Sequence, residues 1–153
     1  MDNQVRELNV SAIENGTVID HIPANNVFQV IRILNLEHTK HQVLFGDNLF
    51  SHKYGKKGII KVSDTFFEPE DLNKIALVAP TATLIVIKDY NVAEKKQVEV
   101  PETILKIVKC FNPGCITNHE NIETRFRVVD KSEMKLQCHY CEKITIKENI
   151  AFK

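Results

Sequence analysis

Apolar and polar residues alternate through most of Leu8-Asn-Val-Ser-Ala-Ile13, the period of an exposed or edge strand. Asn15-Gly16 is a turn signal. Thr17 to Ile22 is a second β-branched run, closed by Pro23. With a period of two, Asp20 and Ile22 would share one face of that strand, and Ile19 and His21 the other. From Ala24 to Leu36 the period lengthens. Val27, Ile31 and Leu34 recur at i, i+4 and i+7, and Phe28, Val30 and Ile33 widen the stripe, which predicts a well-covered helix. Gln42–Phe45 predicts a strand, Gly46–Gly58 a glycine-rich loop, and Ile59–Val62 another strand. A second helix is expected from Glu68-Pro69, with Pro69 at its first position and Glu70 and Asp71 at the positive end of its dipole. Leu72, Ile75, Ala76 and Ala79 mark its apolar face, and Pro80 stops it. Thr81–Ile87 is the most β-prone run in the chain. With the opening hairpin counted as one unit, the order is βαββαβ. That predicts an α+β, ferredoxin-like domain, an antiparallel sheet with both helices on one face.

Val98-Glu-Val-Pro101 is an extended joint where composition changes, so residues 1–100 and 101–153 are expected to form separate domains. The second has about 50 residues and few large apolar groups, and a unit that small seldom folds without a metal or disulfides. Its pattern predicts a small antiparallel β domain with strands at Ile104–Lys109, Arg125–Val129, Leu136–Gln137 and Lys143–Ile150. The alternation Ile144-Thr-Ile146 would turn one face inward.

All four cysteines lie in this second part, as Cys110-x4-Cys115 and, 22 residues later, Cys138-x2-Cys141. Two close pairs about 20 residues apart make a structural zinc pattern. Four thiolates fill a zinc ion's tetrahedron and leave no position for water, so the ion would hold structure and do no chemistry. Two disulfides are the alternative, and His119 or His139 could replace a cysteine. No secretory signal opens the sequence, which favours reduced thiols and a cytoplasmic setting.

Charge and composition narrow the functions. The chain of 153 residues is formally neutral. Residues 1–100 carry 11 Lys/Arg against 13 Asp/Glu, and residues 101–153 carry 9 against 7. A tetrathiolate zinc site would add −2 to the second part and bring it to neutrality. With no Trp, this leaves a zinc-ribbon nucleic-acid-binding protein as the weaker alternative. No apolar run reaches the ~20 residues of a membrane span. There is no Gly-x-Gly-x-x-Gly or phosphate loop, and Ser11, Ser51, Ser63 and Ser132 stand in no nucleophile-elbow context, so nothing supports an enzyme. Lys57, Lys61 and Lys95, with His21, could converge on an anion.

Taken together, Asn15-Gly-Thr-Val-Ile-Asp-His-Ile-Pro23, Gly58-Ile-Ile-Lys61, Val78-Ala-Pro80, Asp89-Tyr-Asn-Val92, Lys109-Cys-Phe-Asn-Pro-Gly-Cys-Ile116 and Cys138-His-Tyr-Cys-Glu142 resemble the regulatory chain of aspartate carbamoyltransferase over essentially the whole length. The resemblance implies a non-catalytic, allosteric subunit of pyrimidine biosynthesis. Its first domain would bind CTP and ATP, with UTP in some members. Its zinc domain would dock a catalytic chain, and regulatory homodimers would bridge catalytic trimers. It further implies an effector pocket at Ala12, Ile13, Val18, Asp20, His21, Lys61, Ile87, Tyr90, Val92 and Lys95. In that pocket lysines would hold phosphate, Asp20 the sugar, and main chain near Ile13 and Tyr90 the base. Asn112 and Lys143 would meet the catalytic chain. Ser11, Ile85 and Gly114 depart from the family pattern.

Overall fold

The computed structural model describes residues 12–153. Ser11 and most of the strand expected at Leu8–Ile13 lie outside them, and Ala12 and Ile13 take no regular conformation. The first part runs β1 (Gly16–Pro23), α1 (Val27–Ile33), β2 (Val43–Ser51), β3 (Gly55–Ser63), α2 (Pro69–Val78), β4 (Thr83–Lys88) and β5 (Asn91–Gln97). The strands form one antiparallel sheet in the order β2-β3-β1-β4-β5. Its first four members have the ferredoxin-like arrangement that the pattern implied. The fifth strand was not foreseen, because every residue of β5 is exposed and carries no periodic signal. Asp89 (φ 52°) and Tyr90 (φ 67°) form the tight, left-handed turn that folds it back along β4.

Both helices follow from local chemistry. Glu68 and Asp71 form a reciprocal capping box around the start of α2, with Pro69 at its first turn. Helix α1 is shorter than its apolar stripe. Asn25 (φ 76°) and Asn35 (φ 57°) take left-handed backbone on either side of it, so only seven residues are helical. The span expected at Ala24–Leu36 thus overran the helix at both ends; Leu36 is buried from the following 3-10 turn, and Phe28, inside the helix, stays 55 % exposed.

The alternation expected in β1 also fails. Its pairing with β3 shifts register between Ile19 and Ile22, with His21 at φ 57°. This β-bulge resets the phase, so Ile19 and Ile22 are both fully buried on the helix side. The stretch expected as a loop at Gly46–Gly58 is instead most of a hairpin. Leu49 pairs with Lys57 and Phe50 with Lys56 beyond a second bulge, and Gly55 (φ 78°) makes the turn. Gly58 serves packing: a Cβ there would stand 2.0 Å from a Val27 methyl, so only glycine lets α1 lie against β3. Ile19, Ile22, Val30, Ile60 and Ile75 fill the layer between helices and sheet.

The second part has β6 (Thr103–Leu105), β7 (Val108–Lys109), β8 (Arg125–Asp130), β9 (Lys135–Cys138), β10 (Ile144–Thr145) and β11 (Ala151–Phe152). One sheet is ordered β10-β9-β8-β6, and β11 pairs with β7 apart from it. The single strand expected at Ile104–Lys109 breaks at Lys106 (φ 73°). The one expected at Lys143–Ile150 ends after Thr145, and a 3-10 turn at Lys147–Asn149 follows. The inward face there is the opposite of the one expected. Ile144 and Ile146 are 40 % and 42 % exposed, whereas Thr145 is fully buried and its hydroxyl has no hydrogen-bond partner among the described residues. The register explains this, since Thr145 stands opposite the buried Leu136 and Ile144 opposite Gln137.

Ile104, Val108, Phe126 and Leu136 pack with the buried cysteines into a second core. That core also takes Leu77, which is 1 % exposed and projects from α2 of the first part. Val100 and Phe152 pack against both cores.

Candidate functional site

Two short arms carry the cysteines: the Cys110–Cys115 loop after β7, and the turn that follows β9 from Cys138 to Cys141. Their sulfur atoms all lie within 4.8 Å of one another. Cys110 and Cys141 are 3.7 Å apart, and Cys115 and Cys138 are 3.8 Å apart. These separations are far beyond a disulfide's ~2.05 Å. They match the ~3.8 Å edge of a tetrahedron whose centre is ~2.3 Å from each sulfur. The residues therefore fit one tetrahedral, thiophilic ion. His119 and His139 are not in the cluster.

Without a cation, four sulfurs this close cannot all be anionic. Burial pushes the Cys110 and Cys138 thiols up, to where they keep their protons. At Cys141, the half-buried member, burial acts the same way but is outweighed. Hydrogen bonds from the Asn112 side chain and the Lys143 backbone, with those of Cys110 and Cys138, draw its thiol down to about 7. Ion uptake replaces these protons and is favoured as pH rises.

In the first part, the family-implied residues gather on the sheet face opposite the helices. Lys61, Val18, Ile85 and Lys95 form one rung across β3, β1, β4 and β5. Ile87 and Val92, opposite each other, stand with Gly16 in the next rung, and Asp20 faces Thr83 on the other side. At ~3.3 Å per residue, this strip runs about 13 Å along β1 from Gly16 to Asp20. Beyond its Gly16 end, Ala12, Ile13 and Tyr90 line a cleft of about 430 Å³ with Lys40, Gln42 and Asp64. The Tyr90 N–H donates to the Glu14 carbonyl (2.8 Å) and closes the base of that cleft.

The β1 bulge builds the other end. The Asp20 carboxylate accepts from the His21 N–H (2.7 Å) and from the Lys57 ammonium (2.7 Å). The Thr81 hydroxyl donates to the His21 carbonyl (2.8 Å), and the imidazole Nδ1 lies 3.0 Å from the Thr83 hydroxyl. The Tyr54 ring packs edge-on against His21 at 5.6 Å. Burial pushes the Lys61 ammonium down, with the Asp20 carboxylate acting against it. Thr81, Thr83 and Tyr54 escaped the sequence reading because only the bulge and the hairpin bring them to His21. Lys57 was noticed for its charge, but its pairing with Asp20 depends on cross-strand register.

Of the two residues implied for docking, Asn112 lies in the first cysteine arm and Lys143 is exposed just after the second. Phe111, Ile116 and Tyr140, 43–45 % exposed, flank the cluster on the same two arms. Among the described residues, no helix is long and apolar enough to cross a membrane.

Comparison with known proteins gives a consistent result over the length of the chain. Residues 8–99 match the family model "Aspartate carbamoyltransferase regulatory chain, allosteric domain", and residues 102–151 match the model "Aspartate carbamoyltransferase regulatory chain, metal binding domain". The chain is 49 % identical over 150 residues to the aspartate carbamoyltransferase regulatory chain of Bacteroides fragilis, covering 98 % of each. It is 52 % identical over 146 residues to that of Pyrococcus horikoshii, covering 94 % of this chain and 96 % of the relative. To that of Thermococcus sibiricus it is 48 % identical over 149 residues, with 97 % and 98 % covered.

Proposed function

The chain belongs to the family of aspartate carbamoyltransferase regulatory chains, and from that premise we propose how its two parts share the work. It is a regulatory chain with an allosteric and a metal-binding domain. The nucleic-acid-binding alternative finds no support in its relatives. In our reading, residues 1–100 form the effector-binding domain, and residues 101–153 dock the catalytic chain from the cytoplasmic complex. CTP and ATP, and UTP as a further effector, bind along the helix-free sheet face. Lys61 and Lys95 hold phosphate oxygens, and Asp20 accepts from the sugar hydroxyls. The main chain at Ile13 and Tyr90 meets the base, with Val18, Ile87 and Val92 as the apolar floor. His21 closes the bulge end of the pocket.

One observation carries this reading: two lysines, Lys61 and Lys95, stand in the same rung on either side of apolar Val18 and Ile85. Flat apolar ground between two cations suits a nucleotide. Titration calorimetry of the full chain with CTP and with ATP tests it. A charge-assisted bond contributes ~1.5 kcal/mol or more, so Lys95→Ala is expected to weaken binding roughly tenfold. Unchanged affinity would remove Lys95 from the site, and no heat from the unaltered chain would remove the site itself.

Zinc is the ion that the four-thiolate donor set favours. Cys110, Cys115, Cys138 and Cys141 would hold it, and it would supply a cross-link between the two arms. The arms then present Asn112, Lys143 and the exposed Phe111, Ile116 and Tyr140 to the catalytic chain. A nucleotide shifts the catalytic chains only as far as it binds one state of the assembly better than the other.

We assign the regulatory homodimer to the β2 edge. Among the described residues that edge is unpaired in the sheet, and it carries Phe45 (51 % exposed) and Phe50 (75 % exposed), with Phe28 against Phe45 at 5.4 Å. Exposed aromatic groups on an open strand edge are a ready surface for a second copy. Sedimentation velocity should find a dimer whose fraction grows with concentration, and a monomer throughout would count against this edge.

A further inference from the structure

The metal cluster has an outer layer of hydrogen bonds that the cysteine spacing does not disclose. Backbone N–H groups serve part of it: Asn112 donates to the Cys110 sulfur, Tyr140 and Cys141 to Cys138, and Lys143 to Cys141. One side chain joins them. The Thr117 hydroxyl, on a residue only 7 % exposed, lies 3.2 Å from the Cys115 sulfur. Once that sulfur is a thiolate it has no proton to give, so the hydroxyl is the donor.

The turn that carries Thr117 is held by its neighbour. The Asn118 side chain donates to the Asn112 carbonyl (2.7 Å) and to the Cys110 carbonyl (2.9 Å). The Asn112 carbonyl also accepts from the Cys115 N–H (3.0 Å), and its Oδ1 from the Gly114 N–H (3.1 Å). Asn118 therefore fixes the first arm and the 3-10 turn, Ile116–Asn118, that presents the Thr117 hydroxyl to Cys115.

We propose that Thr117 is a positioning residue for the metal: its hydrogen bond to the Cys115 thiolate orients that ligand and sets how slowly the ion is released. The inference rests on the zinc reading above. A donor to a thiolate spreads its charge and lowers the cost of four anions meeting at one point. Partners of this kind, behind the ligands, commonly change metal affinity by 10–100-fold.

The test uses the full chain, loaded with zinc or with cobalt(II). Release of zinc to an excess of a chromophoric chelator is followed in time, and the cobalt form reports ligand geometry through its thiolate charge-transfer band. Thr117→Val keeps the shape and removes the hydroxyl, and it is expected to speed release at least tenfold and to shift the cobalt band. Thr117→Ser restores the hydroxyl and should return both towards the unaltered values. Wild-type release rates and an unmoved band in Thr117→Val would overturn the proposal. If Thr117→Val fails to fold by circular dichroism, Thr117→Ala decides the matter by the same two readings. A wild-type chain that takes up cobalt with no thiolate band would instead refute the zinc reading itself.

Discussion

Cys138→Ser is expected to abolish metal retention, unfold most of the second part and prevent assembly with the catalytic chain. Cys138 is 1 % exposed and belongs to the second core as well as to the metal cluster. Apart from the cysteines, that core has Ile104, Ile107, Val108, Phe126, Met134 and Leu136 within about 50 residues, with Leu77 borrowed from α2. So few large side chains leave a unit of this size short of a core that can hold it folded without a cross-link or a metal. A structural zinc site contributes on the order of 10–16 kcal/mol at neutral pH, comparable with the whole stability of a typical domain. Hydrogen exchange checks this by region. Amides of Phe126 and Leu136 should lose protection, while those of Ile60 and Leu84 in the first sheet keep most of theirs. Size-exclusion chromatography with the catalytic chain should show no large complex. A metal-free Cys138→Ser chain with protected Leu136 that still assembled would refute the structural role.

Leu77→Ala is expected to cost about 2–5 kcal/mol and to weaken the nucleotide response more than nucleotide binding. Leu77 sits on the helix that backs the sheet proposed to bind the effector, yet its side chain is packed in the core that holds the cysteines. Displacement of α2 is thus delivered into the second core as a packing change, and a close-packed interior transmits it without slack. The alanine leaves a cavity at that junction. The urea midpoint should fall, calorimetric affinity for CTP should stay within a few-fold of the unaltered chain, and the effect of saturating CTP on the reconstituted enzyme should shrink. An undiminished response would show that coupling travels by another route, for which Val100 and Phe152, packed against both cores, are the neighbouring candidates.

The α2 junction also limits how separable the two parts are. The joint at Val98–Pro101 is visible as a change in composition, but Leu77 lies off the apolar face that Leu72, Ile75, Ala76 and Ala79 mark. Nothing local says that a second core covers it. By contrast the start of α2 at Pro69 and the cysteine arms were legible, because each depends on residues within a few positions of one another. The bulge at Ile19–Ile22, the hairpin hidden in Gly46–Gly58 and the exposed strand β5 were not. Each is decided by a partner strand, and one extra residue in a strand reverses which side chains face the core.

The sequence by itself determined the four-thiolate ligand set, the βαββαβ order, the start of α2 and the family to which the chain belongs. The first three rest on residue spacing, helix-start residues and periodicity, which act over short distances along the chain, and the family rests on the resemblance of whole motifs. Tertiary structure alone decided that Lys61, Val18, Ile85 and Lys95 form one rung, that Lys57 pairs with Asp20 and that Thr145 points inward where Ile144 was expected. It alone set Thr117 behind the Cys115 sulfur and Leu77 in the neighbouring core. Most of these contacts join residues dozens of positions apart, and the geometry of all of them exists only once strand register and packing have been fixed by the burial of the whole chain.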